Sequence, residues 1–230
     1  ALAILPLAGE FANPENSSVW EGHGVGKMND NNALDNNALE NNTLESNALE
    51  NNTLDNNTLE SNSKKLRALL ESPGVEQILE AHNSLSATIV EEAGISGLWA
   101  SSLTLSCAAG LRDNSELTMT EVLDVLETIT ARAQIPILFD GDTGYGQFSH
   151  FQQLVRKLCL RRVGGVCIED KVFPKTNSFL RSEGQVLAPV EEFAGKLRAG
   201  KDAQTDPDFV VVARTEALIG QIIGIALGVL

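Results

Sequence analysis

The residues best suited to chemistry stand together in one stretch, Pro136 to Gly146, which reads PILFDGDTGYG. An aliphatic run from Ile135 to Phe139 leads directly into Asp140, Gly141, Asp142 and a glycine-rich turn. On a strand, side chains two apart point to the same side. Asp140 and Asp142 are therefore expected to project together from the end of a strand, with Gly141 opposite. Two carboxylates at that spacing repel each other unless a cation or a proton lies between them. Hard oxygen ligands with a few retained waters describe a Mg2+ site. The plain alternative is an Asp- and Gly-rich turn of the kind strand ends often carry.

The elements that must position this pair follow from periodicity. KKLRALLE (64–71) has helical spacing and stops at Ser72-Pro73-Gly74. VEQILEAHN reads as a strand, SLSATIVEEAG as a helix ending at Gly94, and GLWAS (Gly97–Ser101) as a second short strand. SLTLSCAAGLRDNSE is read as a long loop carrying Arg112 and Asp113. TMTEVLDVLETITARAQ (Thr118–Gln134) is a helix with an N-cap threonine, and the central strand comes next. FSHFQQLVRKLCLRR is a helix, VGGVCIED (Val163–Asp170) a strand, PVEEFAGKLRAGKDAQ a helix with Pro189 near its start, and FVVVART (Phe209–Thr215) the fifth strand.

Strands that are nearly continuous apolar runs, alternating with helices, indicate a parallel sheet. Polar residues gather where those strands end: His82 and Asn83, Ser101, Asp140 and Asp142, Glu169 and Asp170, and Arg214. A (β/α)8 barrel keeps its chemistry on the loops after its strands, and a doubly wound sheet would place a ligand there as well. The barrel is the expectation, because five successive strands each end in a chemically useful residue. After Glu216 the chain reads ALIGQIIGIALGVL. That run is apolar but shorter than the roughly 20 residues needed to cross a bilayer. It is read as a truncation after about five β/α units rather than a membrane anchor.

The net charge of −14 argues against nucleic acid as a partner, yet it is unevenly spread. Residues 1–60 hold ten acids against one base, Lys27, and the remainder holds 21 acids against 16 bases. The first nine residues, ALAILPLAG, lack the basic flank of a signal peptide, and the chain does not begin with Met, so a fragment is expected. From Asn31 to Glu60 a five-residue unit repeats as NNALD, NNALE, NNTLE, SNALE, NNTLD, NNTLE. Neither a helix nor a strand aligns leucines spaced by five on one face. Rich in Asn and acid, this segment reads as disordered. The expected division is a tail over 1–62 and a folded domain over 63–230. Cys107, Cys159 and Cys167 show no CxxC spacing, which indicates neither a disulfide framework nor a zinc site and fits a reducing, cytoplasmic setting. His82 is read as a structural histidine.

GLWASSLTLS, LRD, ILFDGDTGYG, CIEDKVFPKTNS and VVART, in this order, resemble the phosphoenolpyruvate mutase branch of the isocitrate lyase superfamily, from about Ser63 to about Ile219. The Lys-Lys-Cys-Gly-His loop of isocitrate lyases is missing, and the EDKVFPKTNS loop points to the mutase. The resemblance implies a Mg2+-dependent interconversion of phosphoenolpyruvate and 3-phosphonopyruvate, with phosphonopyruvate hydrolase or a non-catalytic fragment as alternatives. It implies Asp140, Asp142 and Glu169 as metal ligands, directly or through waters. Arg214 would grip phosphoryl or carboxylate oxygens, with a salt bridge to Glu216 or Glu169 as its plainer reading. Ser101, with the backbone amides of Ser102 and Leu103, would cradle the anionic end of a small-molecule substrate, beside Trp99. The family usually has Gly where this chain has Ser102. Asp113 matches the catalytic aspartate, and Lys175, Asn177 and Ser178 a loop that closes over substrate. A complete family member is expected to be a homo-oligomer.

Overall fold

A computed structural model describes residues 60–177 and 186–217, and the structural statements below concern those residues. The repeat segment and the rest of residues 1–59, Ser178, and the apolar run 218–230 lie outside them.

Helix α1 (Asn62–Glu71) opens the described chain, its first turn capped by Ser61, whose side chain accepts from the Lys64 N–H. It is followed by β1 (Ile78–Glu80), α2 (Ser84–Glu92), β2 (Gly97–Ala100), α3 (Ser102–Ala108), α4 (Met119–Arg132), β3 (Ile137–Asp140), α5 (Phe148–Leu160), β4 (Gly165–Glu169), α6 (Val190–Ala203) and β5 (Val210–Arg214). The expected helices and strands are all present, α1 starting two residues earlier than expected and the others trimmed by a few residues at their ends. Capping boxes explain two of the helix starts. Asn83 and Ser86 exchange bonds at α2, and Thr118 and Glu121 at α4.

One expectation is corrected. The segment read as a loop after Gly97–Ser101 begins with a helix, α3. Its serines, threonine and cysteine are indifferent helix formers. It is helical because Leu105 and Ser106 are buried beneath it, a tertiary preference that local propensity does not reveal.

All five strands are parallel, and their spatial order is their sequence order, β1-β2-β3-β4-β5. A doubly wound sheet reverses direction at a switch point. This one does not, so its winding is that of a barrel. Residues alternate between two faces. Leu98, Ala100, Ile137, Phe139, Val166 and Ile168 point into the larger core with the helices, where Phe151, Leu154, Leu158 and Phe193 are fully or almost fully buried. Leu138, Cys167, Val210 and Val212 form a smaller inner cluster with Leu66, and Trp99 packs against it.

Helix α1 lies across the N-terminal ends of the strands. Asn62 donates to the Arg162 carbonyl, Lys65 to that of Gln134 and Arg67 to that of Asp208, each just ahead of β4, β3 and β5. The opposite, C-terminal ends are left to the polar residues.

Candidate active site

The inner face carries apolar residues low and charged residues high. Two positions beyond Leu138 stands Asp140, two beyond Cys167 stands Glu169, and two beyond Val212 stands Arg214. Strand alternation thus places three charged side chains over a greasy floor. Register pairs Glu169 with Arg214 across β4 and β5.

Asp140 and Asp142 do come together, but not by strand pleat as expected. Asp140 ends β3, and Asp142 has φ +51°, left-handed rather than extended. The Gly141 carbonyl accepts from the Gly144 N–H at 2.8 Å, closing a turn around Asp142 and Thr143. Asp142 thereby occupies the first central position of a turn where a positive φ usually calls for glycine. Gly141 itself is required for packing, since a Cβ there would sit 2.7 Å from a Val166 methyl. The result is two carboxylates that are both more than nine-tenths buried.

Around them the charges interlock. Lys175 Nζ lies 2.5 Å from Asp142 Oδ1 and 2.6 Å from Asp113 Oδ1, and donates to Ser102 Oγ at 3.1 Å. Ser102 Oγ in turn donates to Asp140 Oδ2 at 3.0 Å. Asn177 Nδ2 donates to the other oxygen of Asp113 at 2.9 Å. Arg214 reaches Glu169 at 3.2 Å, Glu216 at 2.6 Å and Asp140 at 4.0 Å, so both partners of its plainer reading are realised. Lys171 Nζ stands 3.3 Å from Glu169 and 3.5 Å from Glu216. Buried Asp170 accepts from Thr215 Oγ1 and from the Glu216 N–H, tying the end of β4 to that of β5.

Five carboxylates (Asp113, Asp140, Asp142, Glu169, Glu216) therefore share three cations (Lys171, Lys175, Arg214). The crowding of carboxylates in a buried place shows in the titration of the site. Burial, then the Asp140 charge, push the Asp142 carboxyl up to about 7 even though Lys175 pulls the other way. Glu169 is raised by burial, with Arg214 and Lys171 opposing. For Lys175 and Arg214, burial works against the charge, but the surrounding carboxylates overcome it and hold both above their ordinary values. The Cys167 thiol, pushed up by burial and then by Asp140, stays protonated beneath the site.

Buried hard oxygen donors, with Asp142 and Glu169 both held above the usual carboxylate range, fit a divalent cation of the Mg2+ kind. Among the described residues no three carboxylate, histidine or cysteine side chains stand close enough to enclose an ion by themselves. Asp140, Asp142 and Glu169 would therefore hold such an ion together with water, and Arg214 reaches two of them, Asp140 and Glu169.

The remaining expected residues fall around this cluster. Ser101 is buried and caps α3 without a side-chain capping bond, so the helix leaves its hydroxyl to other uses. Leu103 is about one-third exposed, and Trp99 is half-buried on the inner face. His82 binds Glu80 at 3.1 Å through Nδ1, a structural pairing as expected. Glu80 also accepts from Thr104 Oγ1 at 2.6 Å, pinning the start of α3.

Several residues of the site escaped sequence reasoning. Ser115, at φ +64°, accepts the backbone N–H of Lys175, and no local pattern marks it. Tyr145, the sole tyrosine of the chain, lies within the recognised motif yet received no role. Burial, then the charges of Asp142, Asp140 and Asp113, raise its phenol well above the ordinary value, so it stays a neutral donor. Lys171 completes the charge cluster from the position after Asp170, beside Glu169 and Glu216.

A sequentially wound parallel sheet with an acidic cluster at the C-terminal ends of its strands defines the class, a (β/α)-barrel fold. The chain belongs to the phosphoenolpyruvate phosphomutase family, whose sequence pattern it matches over residues 66–225. It is 52% identical over 155 residues to the phosphoenolpyruvate phosphomutase of Tetrahymena pyriformis, an alignment covering 67% of this chain and 52% of that protein. Among solved structures, the phosphoenolpyruvate phosphomutase of Streptomyces platensis subsp. rosaceus superposes with a TM-score of 0.67 at 46% identity, over 69% of this chain and 55% of that one. A phosphonopyruvate hydrolase in complex with oxalate and Mg++ follows at TM-score 0.65 and 34% identity, over 71% and 55%. The chain spans about half the length of the curated relatives it matches. No helix among the described residues is long and apolar enough to cross a membrane.

Proposed function

We propose that the complete protein is a Mg2+-dependent phosphoenolpyruvate mutase, interconverting phosphoenolpyruvate and 3-phosphonopyruvate. The observation that carries this reading is the group of buried carboxylates Asp140, Asp142 and Glu169 at the strand ends of a fold whose relatives at about 50% identity are phosphoenolpyruvate phosphomutases. In the reaction the bond between phosphorus and the enol oxygen breaks and a bond between phosphorus and C3 forms, with no net gain or loss of protons. Asp140, Asp142 and Glu169 would hold the metal, directly or through waters, and its fixed charge would favour the negative oxygens of the reacting groups.

The rest is done by the chain itself. Arg214, held by Glu169 and Glu216, presents a planar guanidinium to carboxylate or phosphoryl oxygens. Ser101, with the amides of Ser102 and Leu103, receives the anionic end of the substrate, and Trp99 packs beside it. Asp113 lies next to the reacting group. Its oxygens are engaged by Lys175 and Asn177. That arrangement suits a dissociative phosphoryl transfer steered by charge better than attack by the carboxylate. Lys175 and Asn177, with Ser178 beyond them, keep water from the phosphoryl group in transit. Phosphoenolpyruvate or phosphonopyruvate is the small-molecule partner, and a cytoplasmic homo-oligomer serving phosphonate formation is part of this reading.

The test is 31P NMR of the full-length protein given 3-phosphonopyruvate and Mg2+. Conversion to phosphoenolpyruvate supports the mutase. Release of inorganic phosphate makes the protein a hydrolase, and an unchanged spectrum removes both.

A further inference from the structure

Lys196 is a buried cation that the chemistry above leaves unused. It sits on α6, only 7% exposed, and makes no ion pair among the described residues. Its Nζ donates to the Thr143 carbonyl at 3.0 Å, across 53 positions of sequence. Thr143 follows Asp142 and is itself fully buried.

The turn that receives this bond is strained. Asp142, Gly144, Tyr145 and Gly146 all have positive φ, at +51°, +84°, +60° and +134°. Two of the four are not glycine, and each left-handed non-glycine residue persists only where its surroundings impose it. Three contacts impose it here. The Gly144 N–H bonds the Gly141 carbonyl at 2.8 Å. Phe151 of α5 presses on Gly144, where a Cβ would lie 3.1 Å from its ring. The same ring abuts Gly200, where a Cβ would overlap it at 2.1 Å, so α6 comes in close. Lys196 and Gly200 are four apart and share a helix face. That close approach carries the ammonium to the turn.

Resting on the reading of Asp142 as a metal-holding carboxylate, we propose that Lys196 is a positioning residue for Asp142: its ammonium grips the Thr143 carbonyl and locks the left-handed turn that aims the carboxylate into the site. The peptide unit between Thr143 and Gly144 is then clamped at both ends, its carbonyl by Lys196 and its N–H by Gly141. A water could satisfy the same carbonyl but would not anchor it to a helix.

The experiment compares wild type, Lys196→Met and Lys196→Arg in the full-length protein. One measurement is Mn2+ affinity by calorimetry; the other is amide hydrogen exchange without metal. Lys196→Met should bind Mn2+ at least tenfold more weakly, and its Gly144 amide should exchange at least tenfold faster, while the amides of β3 keep wild-type protection. Lys196→Arg, which keeps a charged donor, should recover most of both. Unchanged Mn2+ affinity in a folded Lys196→Met protein overturns the proposal. If Lys196→Met does not fold, Lys196→Arg decides: wild-type exchange at Gly144 supports the clamp, and exchange as fast as in a freed turn overturns it. If the wild type binds no Mn2+, the metal reading fails, and the exchange rates alone settle whether Lys196 holds the turn.

Discussion

Replacing Asp142 by Asn should make the metal-free protein more stable at pH 8. In the folded protein burial, reinforced by Asp140, raises the carboxyl from an ordinary 3.8 to about 7, and Lys175 offsets only part of this. Between about pH 4 and pH 7 the unfolded chain therefore releases a proton that the folded protein keeps. Stability falls as pH rises through that window and stays low above it, the reverse of the usual carboxylate case. At roughly 1.4 kcal/mol per pH unit, the displacement from 3.8 to about 7 amounts to about 4 kcal/mol. The loss of the Lys175 bond is already contained in that net figure, and Lys175 keeps Asp113 and Ser102 in the variant. For a domain of this size 1 kcal/mol moves Tm by about 2–4 °C, so the full effect is on the order of 10 °C. The assay is thermal unfolding followed by circular dichroism in chelator. The variant should melt higher than wild type at pH 8, with most of the difference gone by pH 4 and all of it below about pH 3, where the wild-type carboxyl is neutral in both states. A variant that melts lower than wild type at pH 8 would refute the reasoning, because the bond to Lys175 would then outweigh burial.

The same carboxyl links metal to protons: below pH 7 Mg2+ affinity should drop by about tenfold per pH unit, with proton release detectable by calorimetry in buffers of different ionisation heat, whereas a flat profile from pH 5 to 8 would exclude Asp142 as a ligand. Asn177→Ala should lower turnover of the full-length enzyme by roughly 10²-fold, as loss of one transition-state donor does, and divert some substrate to pyruvate and phosphate; an unchanged rate and product would remove the residue from the mechanism. Gly165→Ala should destabilise the fold by about 2–3 kcal/mol in urea titrations, since its Cβ would sit 2.7 Å from the Val210 carbonyl oxygen and 2.9 Å from Leu66, and a change within 0.5 kcal/mol, about the level of a surface substitution, would show that the β4–β5 seam is looser than described.

Much of this protein was legible before any coordinates. Helices α2, α4, α5 and α6 follow from periodicity, and α4 also from its cap, because an amphipathic face and an N-cap are local properties of a few consecutive residues. The strands, and the charged residues at their ends, were likewise visible as apolar runs closed by Asp140, Glu169 and Arg214. What only the tertiary structure decided depends on distance in sequence. Helix α3 exists because Leu105 and Ser106 have a core to enter, not because its residues favour a helix. The sequential strand order, which separates a barrel from a doubly wound sheet, arises from packing among strands tens of residues apart. Asp142 was expected to share a face with Asp140 through strand pleat; a left-handed turn held by Gly141, Phe151 and Lys196 brings it there instead. Lys171, Ser115 and Tyr145 joined the site only when the chain folded, since a buried polar group acquires its meaning from partners that no local pattern names.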